Sequence, residues 1–153
     1  MKQRLNVMEK RTNAVNGLAQ IGKFLIQSPL ENRILDLVYM RASQINGCAM
    51  CMEIHSKDLL AEGEDPQRIF LLDAWREAPF YSEKERAALA YTEALTRLEG
   101  SQVSDEVYDA LKRHFSDEEI VDLTMGIVAI NGFNRINIAF GAPIGTYTVG
   151  QFR

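Results

Sequence analysis

Two cysteines and a histidine lie in one short segment of the chain, at Cys48, Cys51 and His55. Two residues separate the cysteines, and His55 follows Cys51 by four residues. If a helix begins near Cys48, after the helix-breaking pair Asn46-Gly47, the three side chains occupy positions i, i+3 and i+7 on one face. The spacing therefore predicts three reactive side chains that meet in space.

A pair of cysteines at the start of a helix has a physical logic. Unsatisfied backbone N–H groups and the positive end of the helix dipole favour a thiolate, which lowers the pKa of a cysteine. His55, one turn after Cys51, is placed to take its proton directly or through a water. Cys48 is then placed to attack an oxidised Cys51 and close a disulfide. These residue types in this order predict thiol redox chemistry.

Two other interpretations of the same residues stay open. In the first, the cysteines and His55 bind zinc, but they supply three ligands where a structural zinc usually takes four. The only other histidine, His114, lies far along the chain. In the second, the cysteines are buried small apolar residues and His55 is an ordinary surface residue. A lone cysteine pair in a reducing compartment is seldom a structural staple, which favours redox or metal chemistry. Because the fourth zinc ligand is missing, redox chemistry is preferred, with no metal and no cofactor expected.

Helical periodicity and turn residues define the elements that must position this segment. The predicted helices span 12–27, 30–45, 48–62, 66–77, 82–98, 104–114 and 117–139. Capping signals support several starts, namely Ser82 with Glu85, Ser101, Ser104, and Ser116 with Glu119. The sequence predicts an all-α, single-domain bundle of six to seven helices over 1–153. Residues 141–153 are predicted to be an irregular tail, either flexible or docked on a neighbour.

Composition and charge restrict the function classes. The chain has 153 residues, 46% of them hydrophobic, which suits one domain with a real core. A formal net charge of −4 gives no basic field for nucleic acid or anionic lipid. The most apolar stretch, 120–140, is interrupted by polar residues and predicts a buried helix rather than a membrane span. No apolar region follows the basic N-terminus, so a cytoplasmic protein without a secretory signal is expected.

The cysteine segment resembles the core motif of the alkylhydroperoxidase D-like, carboxymuconolactone decarboxylase superfamily. The resemblance is carried by the Arg-Ala-Ser-Gln-Ile-Asn-Gly-Cys-Ala-Met-Cys string that ends at Cys51, together with His55. It continues through 72–77, 85–90 and 130–135, so that it covers roughly 30–140 of the chain. The resemblance implies the all-helical fold of that family.

The resemblance also implies roles for single residues. Cys51 would be the thiol that reacts with peroxide, Cys48 would resolve the oxidised form or donate a proton, and His55 would belong to a proton relay. Where the family has a glutamate twelve residues before the first cysteine, this sequence has Asp36, whose side chain is one methylene shorter. Asp36 is either the group that orients His55 or a solvated polar residue. Met50 stands where peroxidase members can carry a histidine.

Other polar residues of the matching segments are assigned to packing or subunit contacts rather than to the site. They are Trp75, Arg76, Glu77, Asn131, Asn134 and Arg135. Glu53 lies two residues after Cys51, which on a helix directs it toward the opposite face, so it is expected to be solvated unless a subunit covers it.

The predicted function is an alkylhydroperoxidase-like, thiol-dependent peroxidase with peroxiredoxin activity. The resemblance implies a hydroperoxide substrate, a lipoylated or thioredoxin-like protein as dithiol reductant, and a homo-oligomer, trimeric or hexameric. Because both cysteines are present, disulfide chemistry is favoured over the decarboxylase branch of the family. Two alternatives stay open: an enzyme that decarboxylates a small lactone with incidental cysteines, and a non-enzymatic oligomer that senses redox state.

Overall fold

The computed structural model describes residues 2–7, 9–10 and 13–152. All regular secondary structure in that part of the chain is helical. The helices are α1 (Asn13–Leu25), α2 (Asn32–Asn46), α3 (Ala49–Ala61), α4 (Pro66–Phe70), α5 (Glu83–Arg97), α6 (Asp105–Lys112) and α7 (Asp117–Phe140). Two short 3-10 turns lie at Leu72–Ala74 and Glu99–Ser101. The predicted all-α fold is confirmed. Thr12, where the first helix was predicted to begin, lies outside the described residues.

Side-chain caps fix where several helices begin. Ser82 caps α5 and Ser116 caps α7, each in a reciprocal capping box with a glutamate three residues later. Ser104 caps α6 by accepting a hydrogen bond from Val107 N. Ser101, in contrast, lies in a 3-10 turn with a positive φ of 58° and caps no helix. The predicted starts of α5, α6 and α7 are therefore confirmed together with their physical cause.

One predicted helix is wrong in extent. The segment 66–77 was expected to be continuous, but α4 ends at Phe70 and a 3-10 turn follows. The bend places Leu72 and Trp75 in one apolar cluster, with 0% and 5% of their surfaces exposed. Tertiary burial outweighs local helix propensity at this point. The other predicted helices agree with the structure to within two residues at each end.

Helix α2 lies at the centre of the fold and packs against α3, α5 and α7. One of its faces enters the main core, which it shares with α1, α5, α6 and α7. A second face enters the cluster around Trp75, through Leu37 and Met40. A third contributes Ala42 to a small cluster with Cys48, Cys51 and Ile130. Full burial of each leucine contributes about 1.5–3 kcal/mol, so the helix that leads into the cysteine segment is held from three sides.

The C-terminal residues 141–152 form an irregular segment with turns, as predicted. The segment packs on α3 of its own chain, where Tyr147 is 5% exposed and its hydroxyl donates to Asp58. This contact within the same chain is neither of the two alternatives given for the tail, a flexible end or an arm docked on a neighbour. None of the helices in the described ranges is long and apolar enough to cross a membrane.

Candidate active site

The junction between α2 and α3 sets the position of the cysteines. Gly47 ends α2 in the left-handed conformation, with φ 70° and ψ 30°, which glycine adopts without a steric cost. Gly47 N donates to Gln44 O and Cys48 N donates to Ser43 O, a Schellman ending. Cys48 is then the N-cap residue of α3, and its side chain makes no capping hydrogen bond. The predicted break at Asn46-Gly47 and the helix start at Cys48 are confirmed.

Side-chain hydrogen bonds connect this junction to α7. Asn46 Nδ2 donates to Asn131 Oδ1 at 2.9 Å and to Asn134 Oδ1 at 2.8 Å. Asn134, which is fully buried, donates in turn to Ser43 Oγ at 3.0 Å. These amides therefore pack helices and do not line a binding surface, which agrees with their assignment from the sequence.

Cys48 and Cys51 are joined as a disulfide, with their Cα atoms 5.4 Å apart. Both are buried, with 1% and 2% of their surfaces exposed. Ala42 of α2 and Ile130 of α7 pack against them, and Tyr39 packs against the same cluster. The structure thus brings the two predicted thiol residues into bonding contact, at the first turn of α3.

His55 lies one helical turn after Cys51 on α3 and faces Asp36 of α2. His55 Nδ1 is 3.5 Å from Asp36 Oδ1, an ion-pair distance when the imidazole is protonated. Nδ1 is buried and has no hydrogen-bond partner among the described residues. Asp36 itself is 6% exposed. Of the two interpretations left open for Asp36, the solvated residue is wrong, because the carboxylate is buried beside the imidazole.

Tyr39 belongs to the same group of side chains and was missed in the sequence. Its ring centroid is 5.1 Å from that of His55. Burial, together with the nearby Asp36 carboxylate, raises the pKa of Tyr39 far above its ordinary value, so the phenol stays neutral. The sequence could have identified Tyr39, because it follows Asp36 by three residues and the two share a face of α2.

Asn137 of α7 is the second residue that was missed. Its side-chain Nδ2 donates to Cys51 Sγ at 3.3 Å. In the sequence Asn137 appears only as one of the polar residues that interrupt the apolar run 120–140. A contact between residues 86 positions apart depends on how α7 crosses α3, which helical periodicity alone does not predict.

Glu53 does not behave as the solvated residue that its position on α3 suggested. Its carboxylate accepts hydrogen bonds from Lys57 Nζ at 2.6 Å and from Gly145 N at 2.7 Å. The hydrogen bond from Lys57, followed by that from Gly145, lowers the pKa of Glu53 below its ordinary value. The prediction was wrong because the C-terminal segment of the same chain covers this face of α3.

A buried carboxylate accounts for two of the other matched residues, Trp75 and Arg76. Glu93 of α5 accepts hydrogen bonds from Arg41 Nε at 2.8 Å, from Trp75 Nε1 at 3.0 Å and from Arg76 at 2.7 Å. Burial alone would raise the pKa of Glu93, but the donated hydrogen bonds outweigh it and the pKa is lowered. This network joins α2, α5 and the turn after α4, and it serves packing.

The described residues contain no group of three or more His, Cys, Asp or Glu side chains placed to hold a metal ion. His114, the further ligand that a zinc site would have needed, is exposed beyond the end of α6. A surface cavity of about 370 Å³ lies beside Arg33, Phe80 and Lys84. None of the predicted site residues lines it.

The arrangement at α3 therefore has the parts of a redox dithiol. The two sulfurs share a bond, and an amide N–H contacts one of them. Tyr39 packs against the cysteine cluster and contacts the ring of His55, which pairs with the Asp36 carboxylate. Such a set can donate two electrons, become a disulfide and accept two electrons again.

Residues 12–94 match the model of the carboxymuconolactone decarboxylase family. The uncharacterized protein YdfG of Bacillus subtilis is 38% identical over 141 residues, which are 92% of this chain and 96% of YdfG. A crystal structure of ATU0492 from Agrobacterium tumefaciens, a protein of unknown function with a suggested AhpD role in antioxidant defence, superposes with a TM-score of 0.90. It is 38% identical, over 95% of this chain and 100% of that one. A cysteine-to-alanine variant of the debrominase Bmp8, in complex with 2,3,4-tribromopyrrole, has a TM-score of 0.79. At 21% identity, over 91% of this chain and 74% of its own, it shares the fold alone.

Proposed function

The chain belongs to the carboxymuconolactone decarboxylase family, and from that premise we propose that it is a thiol-dependent peroxidase that reduces hydroperoxides through Cys51 and Cys48. The observation that carries the proposal is the bond between the two sulfurs at the start of α3, with His55 one turn away. The AhpD role suggested for the 38% identical ATU0492 supports the same chemistry.

The first half of the proposed cycle oxidises Cys51. His55 accepts the proton of the Cys51 thiol, and the thiolate attacks one oxygen of the hydroperoxide. An S–O bond forms and the O–O bond breaks, so that Cys51 becomes a sulfenic acid. The leaving alkoxide takes the proton from His55 and departs as an alcohol.

The second half closes the disulfide. The Cys48 sulfur attacks the Cys51 sulfur, an S–S bond forms, and the S–OH bond breaks. The proton of Cys48 joins the departing hydroxide, and water leaves. Two electrons have passed from the dithiol to the peroxide. An external protein dithiol, lipoylated or thioredoxin-like, returns two electrons and two protons by thiol exchange.

Asp36 has a positioning role in this proposal. Its carboxylate, 3.5 Å from His55 Nδ1, favours the protonated imidazole that forms in the first step. The residue is one methylene shorter than the glutamate expected at this position, yet the ion-pair distance is kept.

Both sulfurs are nearly inaccessible in the oxidised chain, at 1% and 2% exposure. Exchange with a protein dithiol therefore requires local opening. Cys48 is the N-cap residue, and the first turn of a helix opens at a lower free energy than its middle. We propose that the reductant enters there.

The deciding experiment follows the two thiols after the reduced protein meets an organic hydroperoxide. Wild type is expected to lose both free thiols and gain the Cys48–Cys51 disulfide, as read by alkylation and mass spectrometry. Cys48→Ser is expected to accumulate a sulfenic acid at Cys51, and Cys51→Ser to lose turnover. His55→Ala is expected to slow the first step, by about 10²-fold if it acts as a general base. His114→Ala is the matched control, since His114 is exposed and outside the site.

Unchanged peroxide turnover in Cys51→Ser would overturn the proposal. If the wild-type thiols are inert to peroxide, and a lactone substrate is decarboxylated equally well by the serine variants, the decarboxylase branch of the family is the better assignment. If peroxide forms the disulfide once without turnover in the presence of any dithiol, the redox-sensing alternative is favoured.

A further inference from the structure

We infer that the side-chain amide of Asn137 makes Cys51, rather than Cys48, the more acidic thiol of the reduced pair. The inference deepens the proposed function and rests on it for the role of Cys51. Which of the two thiols has the lower pKa can be measured without peroxide.

The start of α3 by itself does not make one of the two cysteines more acidic than the other. Cys48 is the N-cap residue, with φ −85° and ψ 93°, and Cys51 lies three residues later in the first turn. The free N–H groups and the positive end of the helix dipole act on both positions. Burial acts on both as well, because each is at most 2% exposed and low polarity disfavours a thiolate. A further group is needed to separate them.

Asn137 supplies that asymmetry. Its Nδ2 donates to Cys51 Sγ at 3.3 Å, and among the described residues Cys48 has no side-chain donor of this kind. A sulfur accepts a hydrogen bond far better as a thiolate than as a thiol, so a fixed donor stabilises the charged form and lowers the pKa. In a buried site the effect is stronger than in water.

The other titratable groups around Cys51 have to be separated from this effect. On α3 these are Cys48 and His55; on α2 they are Asp36 and Tyr39, while α7 contributes the uncharged Ile130 and Asn137. A protonated His55 would favour the thiolate, and the Asp36 carboxylate would disfavour it. Because a change at Asn137 alters none of these groups, comparing the two residues at position 137 in the same cysteine background isolates the effect of the amide.

The test measures thiolate ultraviolet absorbance against pH in single-cysteine proteins. The chain has two cysteines, so Cys48→Ser reports Cys51 alone and Cys51→Ser reports Cys48 alone. We expect Cys51 to have the lower pKa of the two. Adding Asn137→Leu, which keeps the size of the side chain and removes the donor, is expected to raise the pKa of Cys51 by about one unit. That shift corresponds to a roughly tenfold smaller thiolate fraction below the pKa.

Two controls accompany this variant. Asn137→Leu in the Cys51→Ser background is expected to shift the pKa of Cys48 much less. Thr124→Val is the matched α7 control, because it removes a hydrogen bond to Tyr91 of 2.8 Å away from the thiols and is expected to move neither pKa. Asn137→Asp is expected to raise the pKa of Cys51 further than leucine does, since a carboxylate repels the thiolate.

The inference is overturned if Cys48 is the more acidic thiol in the two single-cysteine proteins, a result that needs no substitution at Asn137. It is also overturned if folded Asn137→Leu, with unchanged circular dichroism, leaves the pKa of Cys51 where it was. A low pKa at Cys51 with no peroxide reaction would remove the proposed function and leave this inference standing. Peroxide turnover, together with an unchanged pKa of Cys51 in Asn137→Leu, would support the proposed function and overturn this inference.

Discussion

At the scale of single residues, the two side chains of α2 beside His55 determine its behaviour. Asp36 lies 3.5 Å from the imidazole nitrogen, and the ring of Tyr39 lies 5.1 Å from the imidazole ring. Burial keeps the Tyr39 phenol neutral because its pKa is raised well above the ordinary value. In the proposed reaction, Asp36 is therefore the side chain beside His55 that can hold a negative charge against a protonated imidazole.

Asp36→Asn is expected to slow the reaction of Cys51 with hydroperoxide by roughly tenfold, the effect of a barrier raised by about 1.4 kcal/mol. The amide keeps the size of the side chain and removes the charge that favours the imidazolium. Stopped-flow measurement of the second-order rate constant against pH would test this, with the exposed Asp109→Asn of α6 as the control. An unchanged rate and pH profile in Asp36→Asn would show that His55 works without this carboxylate.

Which residues lie together at the start of α3 was largely predictable from the sequence. Helical spacing and the family resemblance named Cys48, Cys51, His55 and Asp36 together. Asn137 was not predicted, because its contact with Cys51 depends on how α7 crosses α3. The roles assigned to these residues stay predictions until the thiols are titrated and exposed to peroxide.

At the scale of helices, one buried carboxylate joins elements that are distant in the sequence. Glu93 of α5 accepts hydrogen bonds from Arg41 of α2 and from Trp75 in the turn after α4. The Arg41 side chain is 4% exposed and pairs with two carboxylates, the buried Glu93 and the exposed Asp73. Loss of the Glu93 carboxylate leaves the buried guanidinium with only the exposed Asp73 as its counter-charge, which is destabilising.

Glu93→Gln is expected to lower the free energy of unfolding by about 3 kcal/mol at pH 7. The pKa of Glu93 is lowered in the folded protein, so its contribution is complete above the unfolded-state pKa and is lost as pH falls through the folded pKa. The difference between wild type and Glu93→Gln should therefore shrink below about pH 4. Urea unfolding at pH 7 and below about pH 4 measures this difference in stability, with the exposed Glu99→Gln as the control. A constant difference across pH would contradict the assigned charge.

Two glycines should respond in opposite directions to alanine. Gly141 ends α7 with φ 65°, and an added Cβ would lie 2.9 Å from the Lys2 carbonyl oxygen. Gly17 lies inside α1 with open space around it. Gly141→Ala is expected to cost about 1–3 kcal/mol through backbone strain, and Gly17→Ala to gain up to about 1 kcal/mol through helix propensity. Melting temperatures would show the opposite signs, and equal shifts would show that α7 does not end as described.

Helix boundaries were predictable where the cause is local, and not where it is tertiary. Ser82 and Ser116 mark their helices through reciprocal caps, and Gly47 marks the end of α2. The end of α4 at Phe70 has no such local mark. It follows from burial of Leu72 and Trp75 in one cluster, which a single segment of sequence does not reveal.

At the scale of the whole molecule, the C-terminal segment binds the helix that carries the site. Glu53, Lys57 and Asp58 of α3 hold it through Gly145 N, the Tyr147 carbonyl and the Tyr147 hydroxyl. These contacts link residues some 90 positions apart, so the segment contributes to the tertiary fold. The homo-oligomer and the protein reductant stay predictions, which sedimentation velocity and a reduction assay with a lipoylated or thioredoxin-like protein would test.

Tyr147→Phe is expected to loosen this segment, because the phenol donates to both oxygens of the buried Asp58 carboxylate. The loss should be about 1–3 kcal/mol, as for a hydrogen bond to a charged group. Hydrogen exchange resolved by peptide is the measurement, with faster exchange expected in 144–152 and in the second half of α3. Tyr108→Phe, in an exposed residue of α6, is the control. Unchanged exchange would mean that the segment is held by its other contacts.

The Cys48–Cys51 bond closes a ring within one turn of α3 and ties no two helices together. A crosslink stabilises a fold by restricting the unfolded chain, and that gain grows with the length of the loop it closes. A bond between residues three positions apart closes a very short loop, so its stabilisation of the fold is near the smallest that a disulfide can give. The fold is therefore held by its apolar clusters and its buried ion pairs and does not depend on this bond. In the proposed peroxidase cycle, opening and closing the bond would leave the helices in place, so each turnover would need no refolding of the domain.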